Sequence, residues 1–199
     1  MNYSLKIGKI YKITEENFDE NLSYLPKARQ EHILKFKDRN RQKQSLVATL
    51  LLEECLKELN ALEEYEKVVE DENGHWSFGN SPLHFSIAHS DEVVLVVASR
   101  HPIGCDIEKI RKTKIEIAEK FFLPSEIENI KSSSHPDMVF LSYWTVKESY
   151  LKMIGKGLNE SLKSIEVDES LTAIKEHPEC VVESCFLNDY VMSVVYQKN

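Results

Sequence analysis

Residues 103–108, with the sequence IGCDIE, constrain the fold and the chemistry of this chain more than any other stretch. In an extended strand successive side chains point to opposite faces, so Gly104, Asp106 and Glu108 share one face and the apolar residues share the other. Two carboxylates on one face repel each other unless water or a cation surrounds them, and carboxylate oxygens are ligands that Mg²⁺ prefers. The pattern therefore predicts either half of a Mg²⁺ site, with the glycine leaving room for a ligand, or an amphipathic edge strand whose acids lie in water.

The net charge of −8 is unevenly distributed along the 199 residues. Residues 27–43, which we call the first basic segment, carry +5, and residues 109–120, the second basic segment, carry +3, so the remainder carries −16. Phosphate backbones are bound by clustered Lys and Arg, and the acidic balance therefore argues against a general nucleic-acid binder. The two basic segments indicate local anion sites or, alternatively, solvated helix faces.

The sequence lacks the features of a membrane or secreted protein. It contains no stretch of 18 or more apolar residues, and its first residues lack the pattern of a signal peptide, so we expect a cytoplasmic protein without a membrane partner. Without CxxC spacing, buried thiols are a better interpretation of the cysteines than a zinc site. These are Cys55, Cys105, Cys180 and Cys185.

Hydrophobic periodicity indicates an α+β protein. The longest predicted helices cover residues 28–36, 41–59 and 137–154, with short helices before residue 122 and after residue 124. Predicted strands cover residues 3–13, 76–78, 84–89, 93–99, 103–108, 164–167, 181–186 and 190–196. Residues 90–97 weakly resemble residues 188–195, which indicates either two similar halves or merely a shared valine-rich composition.

A second candidate motif lies in the last predicted helix, at residues 144–152, with the sequence WTVKESYLK. Glu148 and Lys152 are one helical turn apart, so both side chains can contact the same ligand. This spacing is also typical of a surface ion pair worth about 0.3–0.5 kcal/mol. Together with Asp106 and Glu108, Glu148 would supply three carboxylates for Mg²⁺, and Lys152 a cation for phosphate oxygens.

These two motifs, the second continuing through residues 155–158, resemble the signature of the 4′-phosphopantetheinyl transferases. Residues 85–90 are similar to a third motif of that family. The length and the order of the motifs resemble the longer, monomeric Sfp-type branch. The resemblance implies two pseudo-symmetric halves, residues 1–101 and 102–199, each with a small antiparallel sheet packed on a long helix.

The resemblance also implies an activity. A member of this family transfers the phosphopantetheine arm of coenzyme A to a serine of an acyl or peptidyl carrier protein, with Mg²⁺ or Mn²⁺, and releases adenosine 3′,5′-bisphosphate. Asp106, Glu108 and Glu148 match the family's metal ligands, and Glu148 also matches the proposed general base. Lys152 matches the lysine that contacts the pyrophosphate.

Further residues match the coenzyme A contacts of the family. Ser45 and His89 match residues at the 3′-phosphate, although a lone strand histidine more often makes a single structural hydrogen bond. Gly74 and His75 stand where the family often has glycine and lysine, so the lysine is missing here. His75 or Trp76 could offer a flat face to adenine, and Trp76 could equally be a core residue.

Two other functions are compatible with parts of the sequence. Residues 106–109 have the acid-x-acid-lysine pattern of some metal-dependent nucleases, but the net charge argues against that function. A non-catalytic carrier-binding protein would account for the basic segments but leaves the three carboxylates unexplained.

Overall fold

A three-stranded antiparallel sheet and one long helix form the centre of the first of two compact units, residues 1–100. The structure is a computed structural model that describes residues 3–70, 76–156 and 162–198. Strand β5 (Val93–Ser99) is buried along its whole length because it is central in the sheet and helix α3 (Arg39–Glu58) packs on it, which accounts for its continuous apolar sequence. The elements of this unit are β1 (Tyr3–Lys9), α1 (Glu15–Ser23), α2 (Lys27–Lys35), α3 (Arg39–Glu58), β2 (Val69–Glu70), β3 (Trp76–Ser77), β4 (His84–Ser90) and β5 (Val93–Ser99).

The second unit, residues 101–199, is built in the same way. Its three-stranded sheet has β8 (Tyr190–Gln197) in the centre between β6 (Ile103–Lys109) and β7 (Cys180–Leu187). The long helix α6 (Pro136–Met153) packs on β6 and β8. The core includes a cluster of aromatic rings where α6 meets the helices before it. The elements are β6 (Ile103–Lys109), α4 (Ile115–Phe121), α5 (Pro124–Ser132), α6 (Pro136–Met153), β7 (Cys180–Leu187) and β8 (Tyr190–Gln197).

The two units repeat one topology, and the hydrogen bonds define their correspondence. Ile10 N–H donates to Glu92 O in the first unit, and Ile110 N–H donates to Asp189 O in the second. The corresponding hairpin loops begin with Asp91 and Asn188, both at positive φ, which Asp and Asn tolerate better than most residues. The valine-rich resemblance in the sequence is therefore one residue out of register.

Most predicted elements are present within a few residues of their expected bounds. One helix, α1, was not predicted, although Thr14 and Asn17 form a capping box at its start. The strand predicted at residues 164–167 is wrong, because Leu162–Ser164 is a 3₁₀ helix and Val167 makes only an isolated bridge to Ile174. Among the helices that the structure describes, none is long and apolar enough to cross a membrane.

Gly104 determines how closely α6 approaches β6. A Cβ atom at this position would lie 1.9 Å from the carbonyl oxygen of Ser149 and 2.5 Å from the amide nitrogen of Met153. Both are backbone atoms of the helix region, so the space beside the glycine is filled by α6. The expectation that Gly104 leaves room for a ligand is wrong.

We predict that Gly104→Ala lowers the free energy of unfolding by about 3 kcal/mol, because α6 must move away from β6. Gly8 is a matched control, since a Cβ there would meet Val47 Cγ1 at 2.7 Å and Leu51 Cδ1 at 3.1 Å, which are side-chain atoms. Gly8→Ala should cost less, about 1 kcal/mol. Urea denaturation followed by circular dichroism measures both, and equal losses would contradict a special role for Gly104.

Candidate active site

Asp106 is buried, although β6 is an edge strand of its sheet. Its side chain faces the same side of the sheet as Gly104, where α6 packs, and only 8% of the residue is exposed. Glu108, two residues further along, is half-buried. The alternative of a strand whose acids lie in water is therefore wrong for Asp106.

Helix α6 brings Glu148 and Lys152 to the same part of the second unit. Lys152 Nζ donates to Asp106 Oδ1 at 2.8 Å and to the carbonyl oxygen of Cys105 at 3.0 Å. Glu148 is 8% exposed. Lys152 thus joins the helix to the strand, which distinguishes it from the lysine of a simple surface ion pair along one helix.

The buried carboxylates are destabilised in their charged forms. Burial and, to a lesser extent, the charge of the Asp106 carboxylate raise the pKa of Glu148 to about 7. Burial also raises the pKa of Asp106, although Lys152 partly offsets this effect. A cation placed near both acids would reverse these penalties.

Two carboxylate oxygens have the surroundings that a cation ligand requires. Among the residues that the structure describes, neither Asp106 Oδ2 nor Glu148 Oε1 has a hydrogen-bond partner, although both atoms are buried. A buried charged oxygen without a partner is costly and calls for a ligand. These two atoms therefore fit a hard divalent cation such as Mg²⁺.

Glu108 is less closely involved than the sequence predicts. Its Oε2 lies 3.6 Å from Arg111 Nη2, and its charge contributes only a minor part of the upward shift in the pKa of Glu148. Within the described ranges 3–70, 76–156 and 162–198, no three His, Cys, Asp or Glu side chains are grouped closely enough to hold a metal ion. Asp106 and Glu148 are thus the stronger candidates for ligands.

Lys147 has a structural role that the sequence analysis missed. Its Nζ donates to Glu126 Oε2 at 2.6 Å and to the carbonyl oxygen of Leu162 at 3.0 Å, and both side chains of the ion pair are essentially inaccessible to solvent. The signal was its spacing of four from Tyr143 and Leu151, which places a lysine within the buried stripe of α6. Neighbouring residues of one motif thus have separate roles.

In the first unit, His89 lies beside the first turn of α3. Its Nε2 is 2.5 Å from Arg41 Nη1, and both side chains are exposed at the surface. Ser45 is half-buried on the same helix, where its carbonyl oxygen accepts a hydrogen bond from Thr49 Oγ1. His89 is thus next to a guanidinium group that the sequence analysis did not assign.

Trp76 is packed against Arg29. The Arg29 guanidinium carbon lies 3.6 Å from the centre of a Trp76 ring, and Arg29 also donates to Thr49 Oγ1 from Nε and Nη2. One face of the indole is therefore already covered by a cation. The other residues predicted near adenine, Gly74 and His75, lie outside the described residues, as do residues 157 and 158 of the second motif.

Comparison with known proteins identifies relatives of this chain. The family described as "ACPS: 4′-phosphopantetheinyl transferase superfamily" matches residues 102–195, which contain β6 and α6. The "4′-phosphopantetheinyl transferase gsp" of Aneurinibacillus migulanus is 42% identical over 97 residues, which cover 48% of this chain and 41% of that protein. The "4′-phosphopantetheinyl transferase ffp" of Bacillus subtilis is 28% identical over 202 residues, which cover 97% of this chain and 90% of that protein.

The extent of the similarity differs among the relatives. A further Bacillus subtilis relative named "4′-phosphopantetheinyl transferase" is 38% identical over 114 residues, which cover 54% of this chain and 50% of that protein. In its matches to this relative and to gsp, the chain spans about half of the relative's length or less. The holo-[acyl-carrier-protein] synthase of Thermotoga maritima is similar in structure with a TM-score of 0.41 and 17% identity, covering 49% of this chain and 63% of that one.

We predict that Lys147→Met lowers the free energy of unfolding by about 3–5 kcal/mol, because it leaves the Glu126 carboxylate buried without its cation. The double variant Lys147→Met/Glu126→Gln should recover much of this loss. Lys131→Met is the control, since it removes an ion pair of two half-exposed side chains with Glu119 in the same unit and should cost less than about 0.5 kcal/mol. Urea denaturation measures all three variants, and similar losses for Lys147→Met and Lys131→Met would refute the structural role.

Proposed function

We propose that this chain, whose residues 102–195 match the 4′-phosphopantetheinyl transferase superfamily, transfers the 4′-phosphopantetheine arm of coenzyme A to a serine hydroxyl of an apo carrier protein. The transfer breaks the pyrophosphate bond and releases adenosine 3′,5′-bisphosphate. The proposal includes Mg²⁺ as the metal, an acyl or peptidyl carrier as the partner, and a monomeric enzyme in the cytoplasm.

One observation supports this proposal most directly. Asp106 and Glu148 present buried carboxylate oxygens that have no hydrogen-bond partner among the described residues, and Lys152 lies beside them. All three belong to the segment that matches the family. An anionic substrate such as pyrophosphate is best accommodated where a lysine and acids that bind a cation occur together.

In this proposal each residue of the second unit has a separate task. Asp106 and Glu148 would hold Mg²⁺, and Glu108 would join them as a third ligand only after its side chain moves towards the bound cation. A bound Mg²⁺ would neutralise charge on the pyrophosphate during the transfer. Lys152 would bind a phosphate oxygen, and Glu148, on the rigid helix α6, would accept the proton of the carrier serine.

The first unit would contribute contacts to coenzyme A. His89 and Ser45 remain assigned to the 3′-phosphate, and Arg41 is added to them because its guanidinium contacts His89. A guanidinium group can donate two parallel hydrogen bonds to a phosphate, which a histidine cannot do. Trp76 is half-buried with the Arg29 guanidinium packed on one face, and its indole ring would stack on a nucleotide base.

The decisive experiment incubates the protein with coenzyme A, Mg²⁺ and several apo carrier proteins, followed by mass spectrometry of each carrier. The expected result is a mass increase equal to the phosphopantetheine arm, lost in excess chelator and in Asp106→Asn. An unmodified set of carriers would argue against transfer. Degradation of plasmid DNA in a parallel reaction with Mg²⁺ would support the nuclease alternative instead.

Glu148→Gln separates the two tasks assigned to Glu148. The amide keeps an oxygen ligand but cannot accept the serine proton, so we predict a rate lowered by roughly 10²–10⁴ even at saturating Mg²⁺. The measurement is a Mg²⁺ titration of kcat at saturating coenzyme A and carrier. A plateau at the wild-type rate would show that Glu148 is a ligand only.

The second basic segment is the proposed docking surface for the carrier. Lys112 and Lys114 are exposed, and this segment carries +3 in a chain whose remainder outside the two segments carries −16. A carrier that is acidic around its modified serine would be attracted to this surface and repelled elsewhere. Opposite charges at the rim of an interface mainly accelerate association.

We predict that Lys112→Glu/Lys114→Glu raises KM for the carrier by roughly tenfold and weakens its salt dependence, while KM for coenzyme A stays almost unchanged. Lys57→Glu/Lys67→Glu is the control, because it changes the net charge equally at exposed positions of the first unit. Steady-state kinetics at several salt concentrations measures both. Equal losses for the two substrates, or the same effect in the control, would rule out this docking surface.

A further inference from the structure

Three buried hydroxyl groups join α6 to the central strand of its sheet. Thr145 Oγ1 lies 2.7 Å from Ser193 Oγ, and Ser149 Oγ donates to the carbonyl oxygen of Ser193 at 3.0 Å. All three residues are inaccessible to solvent or nearly so. Ser193 Oγ also lies 2.8 Å from Ser184 Oγ on the edge strand β7. One residue of β8 is thus bonded to two consecutive turns of α6.

The hydroxyl contact between Ser193 and α6 lies next to the two candidate cation ligands, Asp106 and Glu148. Ser193 is the direct partner of Asp106 in the antiparallel pairing of β6 and β8, so both side chains lie on the face that packs against α6. Glu148 lies on α6 between Thr145 and Ser149. The same hydroxyl contact therefore adjoins Asp106 on the strand and flanks Glu148 on the helix.

The two acids do not hold themselves in place. Asp106 Oδ2 and Glu148 Oε1 are both buried, and neither atom has a hydrogen-bond partner among the described residues that would hold its carboxylate in position. Repulsion between the Asp106 and Glu148 carboxylates acts to separate α6 from β6 where these two residues face each other. Hydrogen bonds between buried hydroxyl groups resist that separation, because each broken bond would leave a polar group unsatisfied.

We propose that Ser193, together with Thr145 and Ser149, is a positioning residue that fixes the spacing between the Asp106 and Glu148 carboxylates and so sets the affinity of the cation site. This inference rests on the proposed function, since it takes these two acids as cation ligands. The hydroxyl groups do not touch the cation. They act through the backbone positions of β8 and α6, as supporting residues around metal ligands commonly do.

The test measures Mg²⁺ affinity by isothermal titration calorimetry in the presence of coenzyme A and without a carrier, so that no turnover occurs. Thr145→Val removes the hydroxyl group at nearly constant volume, and Ser193→Ala removes its partner. Each should weaken Mg²⁺ binding about 3–10-fold, which corresponds to the loss of one net hydrogen bond. Thr145→Ser keeps the hydroxyl group and should retain the wild-type affinity.

Ser142→Ala is the matched control. Its hydroxyl group is buried on α6, one turn before Thr145, and among the residues that the structure describes it bonds only to the carbonyl oxygen of Met138 within the helix. This variant should leave Mg²⁺ affinity unchanged, and urea denaturation without Mg²⁺ should show a loss of stability similar to that of Thr145→Val. Such a pair of results assigns the change in affinity to the contact with Ser193.

The outcomes separate this inference from the proposed function. If the wild type binds Mg²⁺ and Asp106→Asn does not, while Thr145→Val and Ser193→Ala bind as the wild type does, the positioning role is overturned and the cation site stands. An affinity loss in Ser142→Ala equal to that in Thr145→Val overturns the positioning role as well. If the wild type binds no Mg²⁺, the cation site fails and the positioning role fails with it.

Discussion

The close backbone contact between α6 and β6 is the constraint on which the second unit depends. The helix can approach the strand only because Gly104 has no side chain, since a Cβ would overlap backbone atoms of Ser149 and of Met153. At this short distance between α6 and β6, Asp106 can no longer be hydrated as it would be on an open edge strand. Asp106 is therefore buried next to Glu148, and Lys152 can reach across to the strand. The glycine acts on the chemistry indirectly, through the position of the helix.

The electrostatic consequence is a cluster that is poorly stabilised by its own side chains. Lys152 compensates one oxygen of Asp106, while the second oxygen and Glu148 Oε1 have no such partner among the described residues. Buried like charges raise the free energy of the folded state, and a stability criterion alone would favour apolar residues here. The nearby pair of Lys147 and Glu126 is different, because Glu126 also accepts hydrogen bonds from the Leu123 and Val167 amides. One helix thus carries a satisfied ion pair and an unsatisfied cluster, and the second of these is the one that calls for a ligand.

The first unit shows that the topology alone does not produce this cluster. Lys6 occupies the strand position that corresponds to Asp106, and it forms an ion pair with Glu58 at the end of α3. The strand there contributes a cation and the helix an acid, which is the reverse of the arrangement in the second unit. Glu58 is further bonded to Ser4, so this pair needs no external cation. The same architecture therefore supports an ordinary half-exposed ion pair in one unit and a candidate metal site in the other, and the difference lies in the side chains.

Local patterns predicted most of the helices and strands, but the environment of the site depends on contacts between these elements. The alternation in residues 103–108 and the periodicity of α6 predict both elements because each pattern is local. The burial of Asp106 depends on contacts between α6 and β6, which no window of sequence contains.

The register of the internal repeat was misplaced by one residue because a run of valines matches itself equally well when shifted, whereas the hydrogen bonds of Ile10 and Ile110 fix the alignment. Lys147 was missed because a lysine in a helix is usually exposed, and its partner Glu126 lies 21 residues away. Ser193 illustrates the same limit most clearly, since a serine in a strand has no distinctive pattern, and only the pairing with Asp106 and the contacts with α6 give it significance.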